Sequence, residues 1–448
     1  MDRAWWKRKN ILIIGGLSLF LLSTWSCLHR SLSQWDHSIP ADAFDSLQLS
    51  SPGSCQKASR LAGGVPGFYV LENLWYREGV FHLFTEDELI PEQDKIMSGY
   101  HEQRHHRFVD QEDIMAEQEG KIRCLDGQTM FLNDGADTGQ RSYLNWFYHF
   151  AAEALLGGIT SLSIAYPSTT NTSTLPRLII PFEKNWRDKY GLNGAMIEGI
   201  FGDMVVEKAQ WDMATRSGDW IGFEKVVIVD RYASHRYNPI ANEWNKMALP
   251  IFSLLPSHPP AFFKPYRDNL LSSLNLKPES RVQPNKALKV IPKIIFVERQ
   301  ETNRRLDKVA YEGLLQVLEQ FQSEEKAIIA LPHLPELSFK EQVDSVKDAD
   351  IIIGVHGNGL THQMWMPEGG VVIELFVPNS FLRDYQVLSH ALGHRHIAIW
   401  DDRILPETEW QLIDGELNPK MLHDGTAIPL DTSFIRTLLE NLIVEIAR

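Results

Sequence analysis

Gly354-Val355-His356-Gly357-Asn358-Gly359-Leu360-Thr361-His362 follows directly on a strand-like run, Ile351 to Gly354. Glycines let a backbone approach a ligand closely. A helix starting near Gly359 would turn its free N–H groups and positive dipole end to the crevice, which suits a diphosphate. His356 at the strand tip can bond a phosphate or a ribose, and Thr361 adds a hydroxyl; taken alone, a plain strand-to-helix turn reads the same way. Arg299, Arg304 and Arg305 follow the strand Lys293 to Val297 at its carboxyl end. Guanidinium suits bidentate phosphate contact. One of the three takes that role, and the others are solvated or paired with Glu298 and Glu301. His333 and Glu336 follow the next strand at the same edge. Glu374 lies within a strand, where a carboxylate needs a partner; a ribose hydroxyl and a nearby Arg are the two alternatives.

A second group lies earlier in the chain. Asn145, His149 and Glu153 are spaced to share one face of a helix spanning Tyr143 to Leu156. One turn apart, His149 and Glu153 form either an oriented general base on the acceptor side or a structural hydrogen bond. Asp230, at a strand end, is a further base candidate on the acceptor side. Asp348-Ala349-Asp350 precedes its strand and so stands at the wrong edge to hold a metal on a diphosphate. A metal or other cofactor is therefore not required by the sequence, and Arg side chains with a helix end could stabilise the departing charge instead. His101 to Arg107 carries three histidines but no apolar pattern, and reads as a solvated loop.

These groups need a scaffold that brings strand ends together. Arg177 to Pro181 and Val226 to Asp230 read as buried strands, with a helix from Trp186 through Phe201. Beyond a polar linker, strands at Lys293 to Val297, Lys326 to Leu331, Ile351 to Gly354, Val371 to Phe376 and His396 to Trp400 alternate with helical patterns. Helices are expected over Asp307 to Phe321, Ser338 to Lys347, Phe381 to Leu392 and Thr432 to Ala447. Such alternation implies right-handed crossovers and a parallel sheet with ligands at the carboxyl ends of its strands.

Composition sets the setting. A formal charge of −14 argues against nucleic acid as a partner, because phosphate backbones need clustered Lys and Arg. The basic cluster Arg3, Lys7, Arg8 and Lys9 precedes an uncharged run from Ile11 to Leu28. That run reads as a transmembrane signal-anchor with a cytosolic N-terminus, or as a cleavable signal peptide. Either sends the following chain into the secretory pathway, where Cys55 and Cys124 can pair or remain free thiols. Asn171-Thr172-Ser173 is a glycosylation sequon.

The stretch from Gly354 to Phe376, with its His-Gly-small-Gly-Leu-Thr turn, resembles the signature of the family 61 glycosyltransferases. Tyr143 to Leu155 is similar to that family's Asn-aromatic-aromatic-His…Glu helix, and Phe296 to Arg305 to its strand-then-Arg segment. Trp186 to Asn193 resembles fungal-type members. The resemblance implies an α/β, GT-B-like fold: two Rossmann-like domains facing across a cleft. The expected layout is a tail at 1–10, an anchor at 11–28, a stem at 29–64, an acceptor-side domain at 65–285 and a nucleotide-sugar domain at 286–448. It implies inverting transfer of a sugar, N-acetylglucosamine or xylose, from a UDP-sugar to a glycan or glycoprotein hydroxyl. The setting would be a Golgi or ER membrane, single-pass, with the catalytic part lumenal. His356, Gly357, Gly359, Leu360, Thr361 and either Arg299 or Arg305 inherit a donor-site role, and His149 and Glu153 a cleft role. Asn358 stands where a small residue is common, and Glu298 where Ser is expected before the Arg. The alternative is a catalytically silent carbohydrate- or nucleotide-binding protein on the same scaffold.

Overall fold

The computed structural model describes residues 49–50, 55–84, 90–98, 107–110, 121–134, 143–167, 175–183, 186–237, 247–259, 261–277, 291–410, 416–423 and 427–447. The run 11–28, most of the stem, the His-rich stretch 101–106, the Asn171 sequon and the boundary expected between 285 and 286 lie outside them. Among the described residues no helix is long and apolar enough to cross a membrane.

The first sheet is mixed. It contains β1 (Leu49–Ser50), β2 (Arg60–Gly63), β3 (Val70–Arg77), β4 (Val80–Leu83), β5 (Arg107–Asp110), β6 (Ile122–Leu132), β7 (Arg177–Ile180), β8 (Val205–Glu207) and β9 (Trp220–Val229). Its parallel part runs in the spatial order β9-β6-β7-β8. The chain thus steps from β6 through β7 to β8, then returns to the far side of β6 with β9. Antiparallel β3 extends the sheet beyond β9, followed by β4 and β5. Cys55 and Cys124, the latter in β6, form a disulfide with Cα atoms 5.8 Å apart.

The second sheet contains β10 (Lys293–Val297), β11 (Ile328–Ala330), β12 (Ile351–Val355), β13 (Val371–Phe376), β15 (Arg395–Trp400) and β16 (Arg403–Leu405). A separate pair joins β14 (Phe381–Leu382) to β17 (Glu416–Leu417). The spatial order is β11-β10-β12-β13-β15-β16, parallel throughout except for β16. Every residue of β10, β12 and β13 is buried, as apolar β-branched runs covered on both faces should be. The helix Lys308–Ser323 starts at Asp307, whose side chain accepts from Ala310 N–H, and Phe339–Val346 starts at a Ser338/Glu341 capping box. Both sheets belong to one compact unit, Leu47–Arg448, and one apolar cluster runs from Leu155 and Ile159 to Trp365 and Tyr385.

Four expected elements differ, the first being the helix expected from Phe381, which starts at Asp384 because Phe381–Leu382 pairs as β14. The helix expected from Trp186 starts at Leu192, because Gly191 before it is left-handed with φ 75°. The helix expected from Tyr143 starts after a turn, with Tyr143 itself at φ 54°. No α-helix follows the Gly-rich turn; Asn358–Trp365 is a tighter 3-10 run. Its poorer geometry weakens the dipole argument for that end.

Candidate active site

In a doubly wound sheet the ligand crevice opens where the strand order reverses. Here that point lies between β10 and β12, which are neighbours in register Val297↔Gly354. Arg299 and Arg304 follow β10, and His356 follows β12. The Nη1 atoms of Arg299 and Arg304 donate to the His356 carbonyl at 3.3 and 3.4 Å. Among the described residues neither guanidinium has a carboxylate within ion-pair distance. Burial, then the adjacent Arg304 charge, lowers Arg299 to about 10. Two cations held side by side without a counter-charge make a cradle for an anion. Arg305, by contrast, is exposed, and its carbonyl accepts from Ile428 N–H at 2.9 Å.

Gly357 is required at this point. Its φ is 153°, and a Cβ there would stand 1.6 Å from Arg299 Nη1. At Gly359 a Cβ would meet Val297 Cγ1 at 2.7 Å. Leu360 packs under Gly354, and Thr361 is fully buried rather than open to the crevice. His333 lies at the same edge but half-exposed, 3.4 Å from Glu336 and 3.7 Å from Glu301. Asp350, before β12, accepts from Lys293 N–H at 2.8 Å, and Asp348 pairs with Lys347; both stand at the opposite edge from His356.

The hydrogen-bond partners of Glu374 are two histidines. One carboxyl oxygen lies 2.5 Å from His356 Nδ1 and the other 2.7 Å from His396 Nε2, all three groups being buried. Burial, then the Asp384 charge, pushes Glu374 well up, while burial, then Arg304, holds His356 well down. Both shifts favour the neutral forms. Glu374 thus meets His356 at Nδ1, and the other ring nitrogen, Nε2, stands 4.0 Å from Asp384 Oδ2. Phe376 stacks on the His356 ring at 5.5 Å and Tyr385 meets it edge-on at 5.3 Å, fixing its plane.

Buried histidines also set an acid limit on stability. Burial lowers His356, His362 and His394 (both to about 4) and His396 (to about 3). Unfolded, each protonates near 6.5, so below that pH the unfolded chain binds more protons and stability falls with acid. Each group contributes about 1.4 kcal/mol per pH unit in that window; Glu374, shifted up, acts in the opposite sense. The melting temperature should drop between pH 7 and pH 5, and less steeply in His394→Gln. An unchanged melting temperature over that range would contradict it.

The second group is anchored onto the first. Helix begins at Phe147, and Tyr148 N–H, an unpaired first-turn donor, is capped by Asn358 Oδ1 at 2.9 Å. Tyr148 Oη donates to the Asp384 carbonyl at 3.2 Å, and its ring meets Tyr385 at 5.1 Å. Asn358, standing where the resemblance implies a small residue, thus joins the two candidate sites.

His149–Leu155 then continues as a π-helix, a rare form that is frequent at functional sites. His149 Nδ1 lies 2.8 Å from Glu153 Oε2, with the imidazole partly exposed and the carboxylate buried. Glu153 is buried behind the imidazole, where its carboxylate fixes the plane of the His149 ring. Asn145 is exposed in the turn before the helix, off the face it was expected to share. Asp230 is no base either. Fully buried, it accepts from Ser98, Asn133 Nδ2 and Ala233 N–H, and so braces the start of the helix Arg231–Tyr237. Arg231 Nη1 donates to Glu153 Oε2 at 2.5 Å, and Arg231 Nε pairs with Asp134. Neither Asp134 nor Arg231 stood out in sequence. The available signal was a charged residue just past the end of each of two apolar strands.

Comparison with known proteins identifies the family. The sequence model of the family described as Glycosyltransferase 61 matches residues 147–373, just over half of the chain. The EGF domain-specific O-linked N-acetylglucosamine transferase of Xenopus laevis is 36% identical over 73 residues, 16% of this chain and 14% of that protein. The protein of that name from Gallus gallus is 49% identical over 41 residues, 9% of this chain and 8% of its own length. The chain thus aligns with under a sixth of the length of either relative.

Proposed function

The chain belongs to the glycosyltransferase 61 family, and from that premise we propose that it is an inverting transferase using a UDP-sugar donor. The observation that carries the reading is the convergence of Arg299 and Arg304 on the His356 carbonyl at the switch point of the second sheet. A nucleoside diphosphate matches that cradle in charge and in place. UDP-N-acetylglucosamine is the first donor to test, ahead of UDP-xylose, because both relatives are named N-acetylglucosamine transferases. The acceptor is a hydroxyl of a glycoprotein or glycan. The run from Ile11 to Leu28 supports a lumenal setting in the Golgi or ER, tethered to the membrane.

The step is a single displacement. His149 takes the proton of the acceptor hydroxyl as its oxygen attacks the anomeric carbon. The bond from that carbon to the β-phosphate oxygen breaks, and UDP leaves with the electron pair. Arg299, Arg304 and His356 take up the charge that develops on the departing oxygens. Guanidinium does here what a divalent cation does in other transferases, so transfer should not depend on added metal.

Calorimetry with UDP tests the donor site. The wild-type protein should bind UDP, and Gly357→Ala should weaken binding at least about tenfold by driving its Cβ into Arg299, roughly one lost charge-assisted contact. Equal affinity in the folded variant would place the diphosphate elsewhere.

A further inference from the structure

We infer that Asp134 and Arg231 are positioning residues of the transfer step, forming with Glu153 a buried chain of charges that orients His149 and sets its strength as a base. The inference rests on the transferase reading and extends it to residues outside the sequence signature.

Asp134 follows β6 and Arg231 follows β9. These strands are spatial neighbours in register Leu132↔Val229, although β7 and β8 separate them in sequence. The gap between β6 and β9 is the point where the strand order of the first sheet reverses, the counterpart of the β10/β12 crevice. Arg231 donates from its backbone N–H to Asp134 Oδ1 at 2.9 Å and from Nε to Asp134 Oδ2. Its Nη1 reaches the Glu153 oxygen that also meets His149.

Burying three charged groups is costly unless geometry and pairing offset it, and apolar residues would hold a fold as well. The side chains of Asp134 and Arg231 are 0% exposed and that of Glu153 is 2%, while His149 at 14% is the only member that reaches the surface. Glu153 Oε1 is buried without a hydrogen-bond partner among the described residues, a cost with no structural return. The chain therefore ends in an imidazole at the open end of a buried charge network.

Glu153 accepts from His149 Nδ1–H and so leaves Nε2 as the proton acceptor. When Nε2 takes the acceptor's proton, the imidazolium lies against a carboxylate. Arg231 draws on the charge of that carboxylate, and Asp134 offsets the draw. The rings of Tyr143 and Tyr148 flank His149 at 5.4 and 5.3 Å.

Removing a negative charge from the chain destabilises the imidazolium, so the acid limb of the kcat/KM profile should move to lower pH. In Asp134→Asn the expected shift is about 0.5–1 unit, with kcat several-fold lower and the KM for UDP-sugar unchanged. Glu153→Gln, closer to the ring, should shift the limb further. UDP affinity, read at the other site, verifies that each variant is folded. If Asp134→Asn does not fold, Glu153→Gln decides the matter. An unmoved acid limb in a folded variant would reduce the network to a structural brace. Full activity in His149→Ala would instead overturn the base assignment itself, so the two failures can be told apart.

Discussion

Replacing His149 by alanine should lower the rate of transfer by about 10²–10⁴-fold, the usual contribution of a positioned general base. UDP affinity should stay at the wild-type value, because the diphosphate cradle is built on the other sheet. The exposed edge of His149, the buried Glu153 behind it and the π-helix beneath both serve a single presented nitrogen. Burial of Glu153 makes the order of effects specific. His149→Ala should remove the base, whereas Glu153→Gln should weaken it and move its pH limb. Initial rates of sugar transfer, with UDP calorimetry on the same samples, check both. Near-normal turnover in folded His149→Ala would show that another group takes the proton.

The double variant Arg299→Ala/Arg304→Ala should show the opposite pattern. Hydrogen bonds to charged groups are worth about 1.5–3 kcal/mol each, so losing two should weaken UDP by roughly two to four orders of magnitude. Both ground-state donor affinity and kcat should fall, because the charge on the leaving diphosphate grows in the transition state. Arg305→Ala, at an exposed position, should change either by less than about twofold. Donor titration by calorimetry and steady-state kinetics separate the three variants. If Arg305→Ala were the damaging change, the cradle would be misassigned within its own loop.

Much of this site could be read from the chain alone, and the physical reason is local. The β-branched runs Lys293 to Val297 and Ile351 to Val355 can be only buried strands, so the residues after them must share the carboxyl edge of a parallel sheet. What local pattern cannot supply is spatial order. Nothing in the sequence makes β12 rather than β11 the neighbour that completes the crevice beside β10. For the same reason the pairing of Asp134 with Arg231 was hidden, since it depends on β9 crossing back to β6. Side-chain direction in irregular segments was equally illegible, which is why Arg304 rather than Arg305 joins Arg299. Glu374 was correctly marked as needing a partner. Both of its partners are histidines, one from each flanking strand's segment, a fact visible only once β13 lies between β12 and β15. Asn358 carries the same lesson, because its side-chain oxygen caps a helix of the other sheet.

UDP release from a panel of UDP-sugars, with glycoprotein acceptors present and with or without EDTA, tests the transferase reading most directly. Release from one donor, UDP-N-acetylglucosamine first among them, unchanged by EDTA and lost in His149→Ala, is the predicted result. UDP-sugar binding without release from any donor, by a folded protein offered acceptors, would contradict it and leave a binding protein on a transferase scaffold.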